Sequence, residues 1–521
     1  MAYNILIQNA MIADGTGKPL FNGCVAVLGN RIADVYRIPF PMVNADKVIN
    51  AENAILSPGF IDAHAHSDIS ILAAPEATGK ITQGITTEII GNCGLSVFPL
   101  TEKNRDHIRE LYAQYNVDIT WNSFAQYADL LDTIVPALNI ISLCGHNTLR
   151  AAYNGYGRNT LDTGVKRRMN DCLSSGLQDG AGGFSTGLLY VPGIFADQDE
   201  LHGFAGRTAE YAKVWATHLR SEGRELIEAA DEFLKTAQSA GCQAHISHAK
   251  CAGKQNWHKI DDFLLRFTQN DLTGDCYPYT ESMTQLSAYM PSPYSEMSDT
   301  ELKEKLHNAA FYAEFVNTLD ESFTEDDWHS KRIVSTPPDL MPQSLAGETI
   351  LFIAQKLKTS PPELCAALLK AAAPSVTGAS AGISKENLLR IARLPNTCCG
   401  TDESARPANF SIGRSHPRGF NSFPEFIRLL RPYMSVENII RKITALPAGI
   451  FKVPLRGFIK KGFVADLTLI DLNAIYADSG ADFSNPHKIS AGIKRVCVNG
   501  KTAYCAETPD KINRAGQALR L

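Results

Sequence analysis

The sequence predicts an α/β protein, a (β/α)8 TIM-type barrel accompanied by a small β-domain that both chain termini build. Three observations carry this. Through the middle of the chain, short apolar runs ending in polar residues alternate with longer helical stretches, which indicates βα repetition rather than a sandwich. Eight such runs are present, each with its polar residues at the C-terminal end, where a barrel assembles its site. Both ends of the chain read as short strands, too few at either end to bury a sheet alone.

In order along the chain, residues 4–8, 23–28 and 31–36 are apolar-rich runs separated by turns such as Asp14-Gly15-Thr16-Gly17. Residues 465–470 and 494–500 read the same way at the far end. Residues 1–56 and 452–521 are therefore expected to pair into one composite β-domain, bringing the termini together, beside a barrel of residues 57–451. Its strands are expected to end near His64 and His66, Cys93, Cys144-Gly145-His146, Ser185-Thr186, His218, His248, Asp275 to Tyr279, and Asp402. Residues 285–346 break the rhythm with Met290-Pro291-Ser292-Pro293, acidic runs and aromatics. They are expected to form a lid-like insertion between strands seven and eight, because long excursions from compact domains are usually functional.

Composition narrows the function classes. A chain of 521 residues can bury a large core. Its formal net charge of −5, with scattered basic residues, provides no footprint for nucleic acid. The start lacks the charged and apolar regions of a signal peptide, and no apolar run approaches the ~20 residues of a membrane helix. No membrane association is expected, and a cytoplasmic location is the default. The twelve cysteines then read as reduced thiols, with one recruited to a metal. Nothing in the sequence indicates an oligomeric state.

The strongest chemical signal is Pro58-Gly59-Phe60-Ile61-Asp62-Ala63-His64-Ala65-His66. Alternate strand residues share a face, so His64 and His66 can ligate one ion. Cys93 follows an apolar strand between Gly91 and Gly94. A free cysteine is most often a small buried hydrophobe, but beside other ligands at a strand end its thiolate suits zinc. His218 and His248 each close a predicted strand. Alternation puts Lys250 on the face of His248 and His245 on the opposite face, so His248 is the expected ligand. Asp402 ends the last strand. It has the position of a helix cap, and also that of the carboxylate a zinc hydrolase needs to take a proton from water and deliver it to a departing nitrogen.

With these residues in place, the chain resembles the amidohydrolase superfamily and, within it, the N-acyl-D-amino-acid deacylases or D-aminoacylases. The resemblance runs through most of the chain. It includes Gly91-Asn92-Cys93-Gly94, Gly145-His146-Asn147-Thr148-Leu149-Arg150, Gly183-Phe184-Ser185-Thr186-Gly187-Leu188, Ser247-His248-Ala249-Lys250, Asn256-Trp257, Tyr277-Pro278-Tyr279 and His416-Pro417-Arg418. It implies a tight Zn2+ on Cys93, His218 and His248, a weaker second position at His64 and His66, and Asp402 as general base and acid. It also implies substrate-carboxylate contacts from Lys250 and Tyr190. The expected reaction is hydrolysis of the amide of an N-acyl-D-amino acid, a small-molecule substrate, to a carboxylate and a free D-amino acid. The chain departs from the resemblance at Thr401-Asp402-Glu403-Ser404, where the family commonly reads Ser-Asp-Gly.

Two other readings stay open at this stage. One is a cyclic-amide hydrolase of the dihydroorotase or hydantoinase type on the same scaffold. Those relatives generally bridge their metals with a modified lysine on strand four, and Gly180-Ala181-Gly182-Gly183-Phe184-Ser185-Thr186 contains none. The other is an inactive barrel acting as a binding protein, which predicts lost ligands, whereas all five ligands and the aspartate are present.

Overall fold

A sheet of eight strands unites the two ends of the chain. The computed structural model describes residues 3–37 and 44–521. Tyr3–Ile12 pairs antiparallel with Phe21–Leu28, which pairs with Arg31–Arg37; Ala45–Asn50 and Ile55–Pro58 lie parallel to Tyr3–Ile12. Leu467–Ile470 joins Ile55–Pro58, and Ile493–Val498 and Lys501–Cys505 extend the sheet outward. Alternating residues explain the pairing: Ile5 and Ile7, Val25 and Val27, and Leu467 and Leu469 project into one apolar cluster. The last residues leave this sheet. Gly516 N donates to Pro136 O, Leu519 N to Ile140 O and Leu521 N to Gly180 O, so the tail belongs to the body. Leu519 packs there with Ile61, Ile141 and Val214.

The body is built on parallel strands in chain order: Phe60–Asp62, Ile85–Ile90, Asn139–Ser142 continuing as Cys144–Gly145, Gly183–Gly187, Val214–His218, Gln243–Ile246, Leu272–Cys276 and Thr397–Cys399. Their pairings are parallel throughout. Ala63 N donates to Cys399 O and Asp402 N to His64 O, which ties the last strand back to the first, the closure a (β/α)8 barrel requires. Helices Thr163–Gln178, Gln198–Glu210, Leu226–Ser239 and Ile260–Gln269 alternate with the strands, burying Leu173, Phe204, Phe233 and Phe263 in one core. Asp162 and Asp197 cap the first two by accepting from the backbone N–H of Val165 and Glu200. No helix among the described residues is long and apolar enough to cross a membrane.

Between Leu272–Cys276 and Thr397–Cys399 the chain makes an excursion longer than the sequence suggested. It contains an antiparallel sheet of Glu281–Gln285, Thr377–Ala381 and Lys331–Ser335. Helices Ile350–Leu357 and Pro361–Ala372 pack into its own apolar cluster with Leu286, Phe315 and Leu319. Those helices look like ordinary barrel helices in sequence, and only the shared core assigns them to the excursion.

Candidate active site and metal centre

The site residues lie at the C-terminal ends of the parallel strands, as anticipated, but most sit just past the regular strand. His64 and His66 follow Phe60–Asp62, and His248 and Lys250 follow Gln243–Ile246. Strand alternation is therefore not what orients them. His66 N donates to Glu403 O and Ala65 N to Ile89 O, which fixes the His-x-His segment between its neighbours. Cys93, His248 and Asp402 all have left-handed backbones, with φ of 53°, 36° and 51°. Such conformations are uncommon for these residue types, and they cluster at sites that the surrounding structure holds rigidly.

Two groups of candidate ligands share the Cys93 thiol. Cys93, His218 and His248 form one; His64, His66, Cys93 and Asp402 form the other. Within each group the ligand atoms lie within 4.8 Å of one another. Cys93 Sγ is 3.2 Å from His248 Nε2 and 3.4 Å from His64 Nε2. Burial would raise the Cys93 thiol, but the imidazoles of His64 and His248 beside it pull it well below its ordinary value. His218 is buried and neither ring nitrogen has a hydrogen-bond partner. A buried imidazole without partners beside a thiolate-prone cysteine and a second imidazole fits zinc, whose usual ligands are sulfur and nitrogen.

The second layer orients these ligands from their far sides. His64 Nδ1 faces Asp275 Oδ2 at 3.4 Å, and Asp275 also takes the His248 backbone N–H at 3.0 Å and His245 Nε2 at 3.0 Å. His248 Nδ1 lies 2.9 Å from Glu222 Oε1. With Nε2 turned to Cys93, each ring presents its other nitrogen to a carboxylate, the arrangement that fixes a metal-ligating histidine. Asp275 and Glu222 both work against burial, yet both are held ionised below the usual carboxylate range, chiefly by His64 and by His218 with Lys250 respectively. Below them the buried Lys80 ammonium binds Asp62 at 2.9 Å, Thr401 Oγ1 at 2.7 Å and Glu403 O at 2.8 Å. This bolts the Thr401–Glu403 turn to the strand leading to His64.

Asp402 has two distinct sides. Its Oδ1 lies 3.1 Å from His66 Nε2 and 3.5 Å from His64 Nε2; its Oδ2 lies 2.8 Å from Arg418 Nη1. Burial alone would raise this carboxyl, but Arg418 first, then His248 and His66, hold it well below its ordinary value. His66 shifts the opposite way: burial disfavours its charge, but Asp402 and Cys93 raise it to about 9.

All of this opens into a cavity of about 390 Å3, lined by His66, Cys93, His218, His248 and Asp402 together with Tyr190, Lys250, Tyr277 and Arg418. Lys250 Nζ is 2.6 Å from Glu222 Oε1 and 2.8 Å from His248 Nδ1. The Tyr190 hydroxyl accepts from Thr284 Oγ1 at 3.2 Å, and its ring meets His218 edge-on. The site residues expected from the sequence line one cavity except His64, which is fully buried behind it against Cys93 and Asp402. Sequence reasoning missed Glu222, Asp275 and Arg418 as site residues. Arg418 stood in the His416-Pro417-Arg418 motif and Asp275 at an expected strand end, and both signals were available; Glu222 follows His218 by four residues in a loop with no pattern of its own.

The chain is similar to N-acyl-D-glutamate deacylase of Alcaligenes xylosoxydans xylosoxydans, at 29% identity over 99% of this chain and 96% of that protein. It is 26% identical to D-aminoacylase of the same organism, over 96% and 94% of the two chains. Among solved structures, N-acyl-D-glutamate deacylase from Bordetella bronchiseptica, complexed with zinc and a phosphonate inhibitor that mimics the tetrahedral intermediate, superposes with a TM-score of 0.82 at 28% identity, covering 100% of both chains. Residues 47–310, about half of the sequence, match the Amidohydrolase family, and the chain belongs to the amidohydrolase family.

Proposed function

We propose that the protein hydrolyses the amide bond of an N-acyl-D-amino acid, releasing a carboxylate and a free D-amino acid. One observation carries this reading: a single thiol, Cys93, lies between an imidazole pair on one side and the His64–His66–Asp402 group on the other, inside a cavity with basic side chains. The full-length similarity to deacylases of acylated D-amino acids supports the substrate class. A thiol common to both ligand groups also speaks against a lysine-bridged cyclic-amide hydrolase, since the strand Gly183–Gly187 has no lysine that would serve instead.

Cys93, His218 and His248 would hold the tighter zinc, and His64 and His66 a weaker second one. Bound there, zinc supplies Lewis acidity, polarising the scissile carbonyl and acidifying water at neutral pH. Asp402 accepts the proton of the attacking water at Oδ1, since Oδ2 is held by Arg418. The same carboxyl then hands that proton to the leaving nitrogen. His66, beside Oδ1, keeps the carboxylate aimed into the cavity. Lys250 and Tyr190 receive the substrate carboxylate at the cavity wall, with Lys250 oriented by Glu222. A cytoplasmic setting is supported by the cysteines, all twelve of which are free thiols.

The test is amine release from N-acetyl and N-formyl D- and L-amino acids, alongside dihydroorotate and hydantoin, by zinc-loaded wild type and Asp402→Asn. Turnover of D-substrates that collapses in the variant is the expected result. Ring opening of a cyclic amide without amine release from any acylated amino acid overturns the proposal.

A further inference from the structure

Three basic side chains line the cavity, and two of them are neutralised by carboxylates: Lys250 by Glu222 at 2.6 Å and Arg418 by Asp402 at 2.8 Å. The third, Arg406, is not. It is 5% exposed, and every group it touches is uncharged. Nε donates to Ser404 Oγ at 3.0 Å, Nη2 to the Tyr115 hydroxyl at 2.9 Å, and Nη1 to the Ile412 carbonyl. Its guanidinium also stands over the Tyr115 ring, 5.1 Å from the centroid. The neighbouring acid, Glu403, is used elsewhere. Its Oε1 accepts from the Ser404 backbone N–H and hydroxyl, and its Oε2 from the His416 N–H. Among the described residues, no carboxylate lies within ion-pair distance of Arg406.

Arginine cannot discard its proton to escape burial, and a buried cation without a counter-charge is costly. A fold that places one in the wall of its substrate cavity bears that cost, which an arriving anion would offset.

We propose that Arg406, with the Tyr115 hydroxyl, forms an anion subsite, so that the preferred substrate is an N-acyl-amino acid carrying a second carboxylate in addition to the one on its backbone. The inference rests on the deacylase reading for the identity of the substrate. The second carboxylate belongs either to the amino-acid side chain or to the acyl group, and the chemistry of recognition is the same for both: charge-assisted hydrogen bonds from a planar guanidinium.

Two matched pairs separate these sources on the zinc-loaded full chain: N-acetyl-D-glutamate against N-acetyl-D-glutamine, and N-succinyl-D-alanine against its terminal amide. In one pair the dianion is expected to be favoured by about ten- to a hundredfold in kcat/KM, mainly through KM. In Arg406→Gln that ratio is expected to collapse toward unity, and Arg406→Lys to restore part of it. Equal kcat/KM for dianion and amide in both pairs overturns the subsite without any variant. So does a wild-type ratio retained in Arg406→Gln, the result expected if the side chain only fastens its loop. If no substrate is hydrolysed, the deacylase reading fails separately, and calorimetric binding of the same two pairs decides the subsite. Tighter binding of the dianion in either pair that is lost in Arg406→Gln supports it; equal binding, or none, in both pairs overturns it.

Discussion

Arg418 Nη1 stands 2.8 Å from Asp402 Oδ2, while the other oxygen of the same carboxylate stands 3.1 Å from His66 Nε2. The guanidinium commits one oxygen and keeps the group ionised, leaving the second to exchange protons. Arg418→Met strands a buried carboxylate, which is strongly destabilising to the charged form. We expect kcat to fall by about 10²-fold or more, with zinc content unchanged. Because Arg418 lowers the Asp402 pKa, its loss moves the acid limb of the pH–rate profile to higher pH, and Arg418→Lys moves it back. An acid limb that stays in place in Arg418→Met, measured across the full profile, refutes this role.

The two ligand groups predict a separation between variants. Cys93 belongs to both groups, whereas His66 belongs to one. Cys93→Ser should lose zinc on dialysis against a mild chelator and lose activity with it. His66→Asn should retain one zinc per chain by atomic absorption, on Cys93, His218 and His248. Equal metal loss in both variants contradicts a tight three-ligand position.

Much of this arrangement was legible in the sequence because polar residues at the ends of apolar runs mark the C-terminal rim of parallel strands. His64, Cys93, His218, His248 and Asp402 were all found in that way. The structure brings together the residues that strand alternation singled out, but alternation is not what places them. The strands end at Asp62 and Ile246, and His248 takes a left-handed backbone held by Asp275. What sequence could not supply was pairing between distant segments. Glu222 becomes a site residue only by reaching Lys250 and His248. The excursion's true extent likewise appears only when residues as far apart as Leu286 and Val376 share a core.

Close backbone packing positions the thiol, and one glycine tests this. A Cβ on Gly187 would lie 2.0 Å from the Cys93 carbonyl oxygen, a backbone atom with no freedom to rotate away. Gly187→Ala should therefore displace the Cys93 loop, at a cost of about 1–3 kcal/mol of stability and with weakened zinc binding. Gly206 is the control: it lies in the helix Gln198–Glu210 and a Cβ there meets nothing within 4 Å. Gly206→Ala should be neutral or stabilising by about 0.5–1 kcal/mol. Unchanged zinc affinity in Gly187→Ala, measured by competition with a chromophoric chelator, rejects the packing argument.

His487 gives stability a pH dependence away from the metal ligands. Its Nδ1 faces the Asn409 carbonyl at 3.1 Å, its Nε2 faces Ser415 Oγ at 3.1 Å, and its ring stacks on Phe420. The carbonyl requires a proton on Nδ1, so the neutral ring accepts from Ser415 at Nε2 and ties the segment after Asp402 to the C-terminal part of the chain. Burial, and then the charge of Arg406, lower its pKa from 6.5 to about 4. Between those values the unfolded chain binds a proton that the folded chain refuses. The stabilisation is therefore complete above the unfolded pKa, is lost as pH falls through this window, and declines no further below the folded pKa. The loss amounts to something on the order of 3 kcal/mol. Denaturant unfolding at about pH 7 and about pH 4.5 should show a loss that is smaller by that amount in His487→Gln, whose amide replaces the ring contacts without titrating. Other groups titrate over the same interval in both proteins, so the difference between wild type and variant isolates His487, and an identical loss in the two removes it as the source.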